Sequence, residues 1–282
     1  MLRAASRADR SADSESSTGH AVTASEGLVV EGLRKRYGDH TAVDGVSFSL
    51  APGTCLAIVG ESGSGKTTTV RMLVGLERPD GGTVRLDGRD RSTLPRRRAE
   101  RLARAREIQM VFQDPYLSLD PRVSVSGCLD EVLRLHTDLD AAGRGTRVTR
   151  LLDQVGLGTR EAAALPRDLS GGQRQRVAIA RALAVEPRVL VLDEAVAALD
   201  VSIQAQIIEL LGQIRSTSDI SYLFVTHDLA VVRHIADEVL VLKSGQVVET
   251  GPTSRVLEAP EHPYTRLLLS SVPRRGRFPT TR

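Results

Sequence analysis

Gly60-Glu61-Ser62-Gly63-Ser64-Gly65-Lys66-Thr67 is a glycine-rich stretch that fits the pattern Gly-x4-Gly-Lys-[Ser/Thr]. The apolar run at 54–59 predicts a buried strand before it, and residues 68–74 predict a helix after it. Strand, loop and helix in this order form the setting in which backbone N–H groups and the positive end of a helix bind phosphate. We therefore expect Lys66 to reach the β- and γ-phosphates of a nucleotide and the Thr67 hydroxyl to bind Mg²⁺.

Lysine is scarce in this chain, which has only Lys35, Lys66 and Lys243 among its 38 basic residues. Arginine is strongly preferred everywhere else. A lysine kept in the glycine-rich loop suits a tight site for a compact point charge, where a guanidinium is too bulky. The composition therefore favours a phosphate site over a glycine-rich turn that binds nothing.

A second glycine motif, Leu169-Ser170-Gly171-Gly172-Gln173, begins a predicted helix. Ser170 is a good N-cap for a helix from Gly171 to about Ala184, which Pro187 then stops. Its Gly-Gly turn also presents backbone N–H groups to an anion. The two motifs in one chain indicate a protein driven by a nucleotide.

Acidic and imidazole side chains follow predicted strands. Asp193 and Glu194 come directly after the aliphatic run 189–192, and His227 follows the run 222–225 by two positions. Ligand sites of α/β proteins gather at the carboxyl edge of the sheet, so these three side chains are expected to lie together. We expect Asp193 to hold Mg²⁺, Glu194 to polarise the attacking water, and His227 to contact the γ-phosphate or act in catalysis.

The composition excludes several other classes. The chain of 282 residues has a net charge of +3, no tryptophan and 3% aromatic residues, so stacking surfaces for single-stranded nucleic acid are not expected. An arginine cluster from Arg91 to Arg106 is interpreted as the solvated face of a helix rather than a nucleic-acid site. No apolar run approaches the roughly 18 residues that span a bilayer, and the N-terminus lacks an apolar signal core, so a cytosolic protein is expected.

Cys55 and Cys128 lie far apart in the sequence and form no Cys-x-x-Cys pair. Neither a metal cluster nor an oxidising compartment is indicated. Cys55 lies in the apolar run before the glycine-rich loop and is predicted to be a small buried side chain.

Four stretches of different character follow one another along the chain. Residues 1–26 have the composition of a disordered tail, and structure is predicted to begin at Leu28. Antiparallel strands then surround one βα unit, and residues 116–186 are predicted to be helical. Strands alternating with helices return after that, which predicts a mostly parallel sheet; the strands are expected at 189–192, 222–225 and 239–242, with helices near 201–215 and 229–236.

Over residues 27–275 the chain closely resembles the nucleotide-binding subunit of ATP-binding-cassette (ABC) transporters. Six segments match in the order that the family has: Walker A at 60–67, the Gln113 loop, the signature at 169–173, Walker B at 189–194, the Asp200 loop and the His227 loop. The signature is peculiar to this family among phosphate-loop proteins. The resemblance implies an α/β P-loop NTPase (RecA-like) fold, with an antiparallel β subdomain and an inserted helical subdomain. It places the ATPase domain at 27–250.

The resemblance also implies a role for each matching residue. Tyr37 would stack on adenine, and Gln113 would contact Mg²⁺ and report to the membrane partner. Asp193 would support Mg²⁺, Glu194 would be the general base and His227 would hold the γ-phosphate. The ATP phosphates would bind to Gly60, Glu61, Ser62, Gly63, Ser64, Gly65, Lys66, Thr67 and Thr68. A facing subunit's ATP would be contacted by Ser170, Gly171, Gly172 and Gln173, because two such domains sandwich two nucleotides head to tail, and Asp200 would also belong to the nucleotide-binding residues.

A narrower resemblance concerns residues 112–122, 199–206 and 262–268, which look like the ATPase subunits of bacterial oligopeptide and dipeptide importers, with nickel importers as close relatives. It implies an extension of that type at 251–282, and an enzyme at the cytoplasmic face of the membrane that hydrolyses ATP to power peptide import. The partners would be permease subunits, a second ATPase subunit and, indirectly, an extracellular solute-binding protein. Some relatives carry a cysteine cluster near the C-terminus, which this chain lacks, since no cysteine follows Cys128.

Two departures from the family pattern leave alternatives open. Ala195 stands where the family usually has proline, and Ala197 where it usually has serine. Losing the proline relaxes one backbone dihedral, and losing the serine removes a hydroxyl that could bond across the dimer. A regulatory subunit that binds ATP without turnover, or an importer of nickel or another small solute, are the alternatives. A soluble cassette acting on DNA or ribosomes usually has a long coiled coil or two cassettes, which 282 residues do not accommodate.

Overall fold

The computed structural model describes residues 27–114 and 118–270. The predicted disorder of residues 1–26 lies outside this part of the chain, as do the end of the predicted C-terminal extension and residues 115–117. The strands and helices run in this order: β1 (Leu28–Tyr37), β2 (His40–Leu50), β3 (Cys55–Val59), α1 (Lys66–Leu73), β4 (Gly81–Leu86), β5 (Arg89–Asp90), α2 (Arg98–Glu107), β6 (Ile108–Val111), α3 (Val125–His136), α4 (Ala141–Gln154), α5 (Thr159–Ala163), α6 (Gly171–Leu183), β7 (Val189–Asp193), α7 (Val201–Ser216), β8 (Ser221–Thr226), α8 (Leu229–Ile235), β9 (Glu238–Lys243), β10 (Gln246–Pro252), α9 (Thr253–Glu258) and α10 (Pro263–Ser270).

The larger sheet has six strands in the order β10-β9-β3-β8-β7-β6. Its inner strands pair in parallel, and only β10 is antiparallel, against β9. A crossover helix is needed to return the chain between parallel strands, and α7 and α8 supply it between β7, β8 and β9. The predicted α/β class with a mostly parallel sheet is confirmed.

The smaller sheet has four strands in the order β2-β1-β4-β5, all antiparallel. It packs on one face of the larger sheet through a core that includes Leu33, Val46 and Val84 from the small sheet and Ile58 and Val191 from the large one. The predicted antiparallel β subdomain is therefore present.

Alternate residues of the large sheet's strands enter different cores, as the period of two in a strand requires. In β7, Val189 and Val191 face the small sheet, whereas Leu190 and Leu192 face the helical region. The strand is buried on both faces, and this explains why its sequence is a continuous aliphatic run.

The inserted region between β6 and β7 is helical, as predicted, with α3, α4, α5 and α6 in the described part. Ser124 caps α3 and Asp140 caps α4, each accepting a hydrogen bond from a backbone N–H three residues later. One face of α4 enters the core through Val148, Leu151 and Leu152, which is the face that the 3-4-7 spacing of apolar residues predicts.

The interpretation of Arg91 as part of a solvated face is wrong. Helix α2 has no buried residue, so the cluster is solvated there. The Arg91 side chain, in contrast, is only 7% exposed, and it pairs with Glu107 and donates to the Arg104 carbonyl at 3.1 Å. Its guanidinium joins β5 to α2, a contact that charge patterning along the chain does not reveal.

Cys55 is 1% exposed, as predicted, and burial raises the pKa of its thiol to about 12. A thiol with so high a pKa is unreactive at neutral pH. Among the described helices, none combines the length and the apolar character that a bilayer-spanning helix needs.

Candidate nucleotide-binding site

Three predicted segments meet at one edge of the large sheet. In the parallel register, Val59 of β3 is opposite Thr226 of β8, and Val225 is opposite Asp193 of β7. The residues that follow these positions therefore leave the sheet side by side: Gly60, Glu194 and His227. This is the carboxyl edge, where ligands of α/β proteins bind.

Glycines shape the loop at residues 60–65, which we call the phosphate loop together with Lys66 and Thr67. Gly65 is the N-cap of α1 and has φ +101°. A Cβ at Gly65 would lie far inside van der Waals contact with the Ala42 carbonyl of β2, and one at Gly60 would overlap the Leu242 carbonyl of β9. The loop can follow this path only because these positions lack side chains.

Lys66 is folded into the loop and is 6% exposed. Its Nζ donates to the carbonyl oxygens of Gly60 and Glu61, each at 2.8 Å. Burial lowers the pKa of Lys66, and the carboxylates of Glu194, Asp193 and Glu61 oppose that effect. An anion entering the loop would meet a lysine that is already desolvated and aimed by the loop's own carbonyl groups.

Asp193 ends β7 and is 7% exposed. Its Oδ1 is buried, and among the described residues no atom hydrogen-bonds to it. Burial and the adjacent Glu194 carboxylate raise the pKa of Asp193, whereas Arg71, Lys66 and the Thr67 hydroxyl act against the rise. A buried carboxylate oxygen without a protein partner is costly, so this atom is suited to contact a bound ligand.

Glu194 has a left-handed backbone conformation, with φ +48°. This conformation costs a residue other than glycine about 1–3 kcal/mol and is often found at functional sites. The Glu194 N–H donates to the Val225 carbonyl at 2.9 Å, which holds the residue one step beyond the strand. Its Oε1 lies 3.4 Å from Nδ1 of His227, whose ring is mostly exposed.

Gln113 and Tyr37 lie at the margins of this site. Val111 is opposite Leu192, so Gln113 leaves the sheet at the same edge as Glu194, and its side chain is exposed. Tyr37 ends β1 and is 47% exposed, with Lys35 Nζ located 5.2 Å from the ring centroid. An exposed aromatic ring held beside a buried cation is available for stacking on a base.

Ser170 caps α6, as predicted. Its Oγ accepts from the Gln173 N–H at 3.2 Å, and Gln173 Oε1 accepts from the Ser170 N–H at 2.9 Å, which completes a capping box. Ser170 and Gly171 are exposed, so the positive end of a helix of 13 residues faces outward.

The signature segment, residues 169–173, packs on the Asp200 turn rather than on the phosphate loop. A Cβ on Gly172 would lie 2.6 Å from Ile203 Cγ2. Asp200 itself caps α7, where its Oδ1 accepts from the Ile203 N–H at 3.0 Å and the Ser202 hydroxyl at 2.7 Å. Among the described residues, no hydrogen bond or ion pair joins 169–173 to 60–68. The predicted residues thus form two separate groups within the chain.

Three contributors were missed by sequence reasoning. Arg71 of α1 lies close enough to Asp193 to oppose the rise of its pKa. Tyr264 of α10 accepts a hydrogen bond from the Glu61 N–H at 3.1 Å, and Lys243 Nζ lies 4.8 Å from the Tyr264 ring centroid. The scarcity of lysine could have drawn attention to Lys35 and Lys243. Each of these lysines lies beside an aromatic ring near the site, Tyr37 and Tyr264 respectively.

Comparison with known families identifies two matching regions. The family described as ABC transporter matches residues 43–197, more than half of the chain. The family described as oligopeptide/dipeptide transporter, C-terminal region, matches residues 248–278, which include α9 and α10.

Curated proteins of high similarity include the glutathione import ATP-binding protein GsiA of Escherichia coli strain K12, which is 50% identical over 232 residues. The GsiA protein of Shigella flexneri serotype 5b is 49% identical over the same length. These residues are 82% of the present chain but only 37% of either relative. The chain therefore spans little more than a third of the curated relatives that it matches.

Solved structures show the same architecture. A dimeric post-hydrolysis state of the ATP-binding cassette MJ0796, bound to ADP and Pi, matches with a TM-score of 0.72 and 29% identity, over 80% of this chain and 98% of that one. The cbiO1 protein of Clostridium perfringens, part of the ABC transporter complex cbiONQ, matches with a TM-score of 0.74 and 30% identity, over 82% and 90% of the two chains.

Proposed function

This chain belongs to the ABC transporter family, and from that premise we propose that it binds and hydrolyses ATP to power peptide import through separate permease subunits at the cytoplasmic face of the membrane. The observation that carries the proposal is the convergence of the phosphate loop, Asp193, Glu194 and His227 at one sheet edge. A buried lysine, a carboxylate with one unpartnered buried oxygen and an adjacent carboxylate–imidazole pair are groups suited to phosphoryl transfer to water.

The residues present fit a bound Mg²⁺. The Asp193 carboxylate interacts with the Thr67 hydroxyl and keeps a buried Oδ1 to which no described residue hydrogen-bonds, and Gln113 adds an amide oxygen at the same edge. Hard oxygen donors in small number suit Mg²⁺, which usually keeps waters and substrate phosphates as its other ligands. When bound, the ion would neutralise charge that develops on the phosphates. Asp193 and Thr67 would be its protein ligands.

The chain's own residues supply the remaining chemistry. Lys66 holds the phosphates by charge and by its N–H donors. Glu194 is the general base for the attacking water, and its Oε1 lies 3.4 Å from Nδ1 of His227. His227, mostly exposed in this structure, is free to bind the γ-phosphate.

Two subunits are needed to complete the site in this proposal. The signature segment presents an exposed helix end without contacting the phosphate loop of its own chain, and an anion is bound well by such a helix end. A second cassette facing the first would bring its Ser170 and Gly171 to the ATP. The dimeric cassette among the similar structures supports this arrangement.

Peptide import is supported by the C-terminal match and by the relatives named for glutathione, which is itself a tripeptide. An external solute-binding protein would then deliver the peptide to the permease. The intact Glu194–His227 pair favours a subunit that turns over ATP against one that only binds it.

The proposal is tested in two stages. The purified chain should bind Mg-ATP in titration calorimetry and hydrolyse it slowly, whereas Lys66→Ala should lose most of its ATP affinity. Equal affinity of wild type and Lys66→Ala would contradict the site. Vesicles containing this chain with its co-purified permease should then take up labelled glutathione or dipeptides only when ATP is enclosed. Uptake of nickel instead of peptides would assign the transporter to the metal importers.

A further inference from the structure

The C-terminal helix α10 reaches the phosphate loop through one side chain. Tyr264 Oη accepts a hydrogen bond from the Glu61 N–H at 3.1 Å, across 203 residues of sequence. We infer that Tyr264 is a positioning residue for ATP binding, which acts through the Gly60–Glu61 peptide on Lys66. This inference rests on the proposed function, since it concerns the same ATP site.

Tyr264 is held in place independently of the loop. The residue is 5% exposed and packs with Ala57 and Val59 of β3, the strand that leads into the loop. Lys243 Nζ lies 4.8 Å from the ring centroid, within range of a cation–π interaction. The hydroxyl is thus presented to the loop by a packed core.

The turn before α10 is anchored as well. The Glu249 carboxylate on β10 accepts hydrogen bonds from the backbone N–H groups of Glu261 at 2.8 Å and His262 at 3.1 Å. His262 Nδ1 then accepts from the Tyr264 N–H at 3.1 Å. Because charge-assisted bonds of this kind are among the stronger ones, the position of Tyr264 relative to the large sheet is well determined.

The peptide between Gly60 and Glu61 is held from both sides. Its N–H donates to Tyr264, and its carbonyl oxygen accepts from Lys66 Nζ at 2.8 Å. The peptide group is planar, so the direction of the N–H fixes the direction of the carbonyl. Gly60 has φ +155° and no Cβ, so its own conformational preferences restrain the peptide little. The Tyr264 hydroxyl supplies the missing restraint.

This restraint determines where Lys66 points. An ammonium group has three N–H donors, and the carbonyls of Gly60 and Glu61 accept from two of them. One donor is left for a phosphate, and its direction follows from the two carbonyl groups. Without the Tyr264 hydroxyl the peptide can rotate, and the loop spends less time in the shape that binds ATP. The apparent affinity for ATP then falls in proportion to the fraction of molecules whose loop has the binding-competent shape.

Tyr264→Phe tests the inference, because it removes the hydroxyl and keeps the ring against Lys243. We expect the dissociation constant for Mg-ATP to rise about five- to tenfold, the effect of losing one hydrogen bond that selects the competent loop. Tyr222→Phe is the matched control. Tyr222 is also buried, and its hydroxyl donates to the Leu211 carbonyl at 3.0 Å, away from the phosphate loop. The control should lose similar thermal stability and keep the wild-type ATP affinity.

Hydrogen exchange gives a second readout that does not need nucleotide. The Glu61 amide should exchange faster in Tyr264→Phe than in wild type, and at the wild-type rate in Tyr222→Phe. Unchanged exchange at Glu61, or an ATP affinity within about twofold of wild type, would overturn the inference while leaving the proposed function intact. Failure of the wild-type chain to bind ATP would overturn the proposed function and the inference with it.

Discussion

Oε1 of Glu194 and Nδ1 of His227 lie 3.4 Å apart at the carboxyl edge of the large sheet, although 33 residues separate them in the sequence. The Glu194 N–H donates a hydrogen bond to the carbonyl of Val225 in β8. His227 lies two residues after Val225, directly beyond the end of that strand. The strand β8 therefore positions both side chains of the pair. The contact can restrain the orientation of both side chains.

Replacing Glu194 with glutamine should lower ATP turnover by about 10²–10⁴, the usual contribution of a general base. The amide has nearly the shape of the carboxylate but cannot accept a proton, so ATP binding should persist. Phosphate release by the purified chain measures the rate. Glu209→Gln, on the exposed side of α7, is the control and should keep the wild-type rate. A fully active Glu194→Gln variant would remove this residue from catalysis.

In the double variant Glu194→Gln/His227→Ala, the rise in activation free energy for ATP hydrolysis should be much smaller than the sum of the rises in the two single variants. Side chains in contact and acting in one step are not additive. Turnover rates of the four proteins in a double-mutant cycle measure the coupling. Additive losses would show that the contact between the two side chains has no part in the reaction.

Ser170→Ala should destabilise the fold by about 1 kcal/mol, because it removes an N-cap, and should also weaken the ATP-dependent dimer. Ser124→Ala is closely matched, since Ser124 caps α3 with the same 3.2 Å contact to a backbone N–H. The control should show the stability loss alone. Light scattering of the Glu194→Gln background with Mg-ATP measures the dimer. Equal dimerisation in both variants would count against the two-subunit site.

Gly65→Ala should abolish ATP binding and destabilise the chain by about 1–3 kcal/mol or more. An alanine is strained at this φ, and its methyl group would overlap the Ala42 carbonyl. Gly212→Ala in α7 is the opposite case. Nothing lies within 4 Å of its added Cβ, and alanine in a helix is favoured over glycine by about 0.5–1 kcal/mol. Urea unfolding should therefore move in opposite directions for the two variants.

Glu249→Gln should lower stability at neutral pH and make little difference in acid. Burial disfavours the charged form of Glu249, but the neighbouring Thr265 hydroxyl and hydrogen bonds from the Glu261 and His262 N–H groups outweigh it, so the pKa is lowered. A lowered pKa in the folded state stabilises the fold above the unfolded value of about 4.3, and this contribution is lost as the pH falls below it.

Urea unfolding of wild type and Glu249→Gln from about pH 7 to about pH 2.5 checks this sign, because the range extends well below the unfolded carboxyl value, where the lowered folded-state pKa lies. The gap between the two unfolding midpoints should be widest at the neutral end and should close in acid. A gap that widens in acid would show that Glu249 is not held in its charged form.

Local chemistry made much of this site predictable. The strand–loop–helix unit around Lys66 and the capping of α6 by Ser170 depend on neighbours a few residues away, and both agree with the structure. The aliphatic run 189–192 likewise predicted the strand β7. Such features need only the propensities and hydrogen-bonding capacities of adjacent residues.

Contacts between distant segments were not predictable in the same way. The burial of Arg91 against Glu107 and the bond from Glu61 to Tyr264 depend on how separate elements pack. No periodicity or spacing in the sequence indicates that Arg91 is buried or that Tyr264 reaches the phosphate loop. One helix boundary also differs from the prediction. Helix α1 begins at Lys66 rather than at residue 68, because Gly65 at the N-cap lets Lys66 become its first residue.

Lys35 lies beside Tyr37, Lys66 belongs to the phosphate loop, and Lys243 lies beside Tyr264. Lys35 and Lys66 are more than nine-tenths buried. Lys243 is exposed. Amine-acylating reagents should therefore modify one lysine side chain, that of Lys243 beside the Tyr264 ring, in addition to the α-amino group. A fluorophore attached to Lys243 would lie beside α10, whose Tyr264 contacts the phosphate loop. Its emission should report the binding and release of nucleotide, and no engineered cysteine is needed.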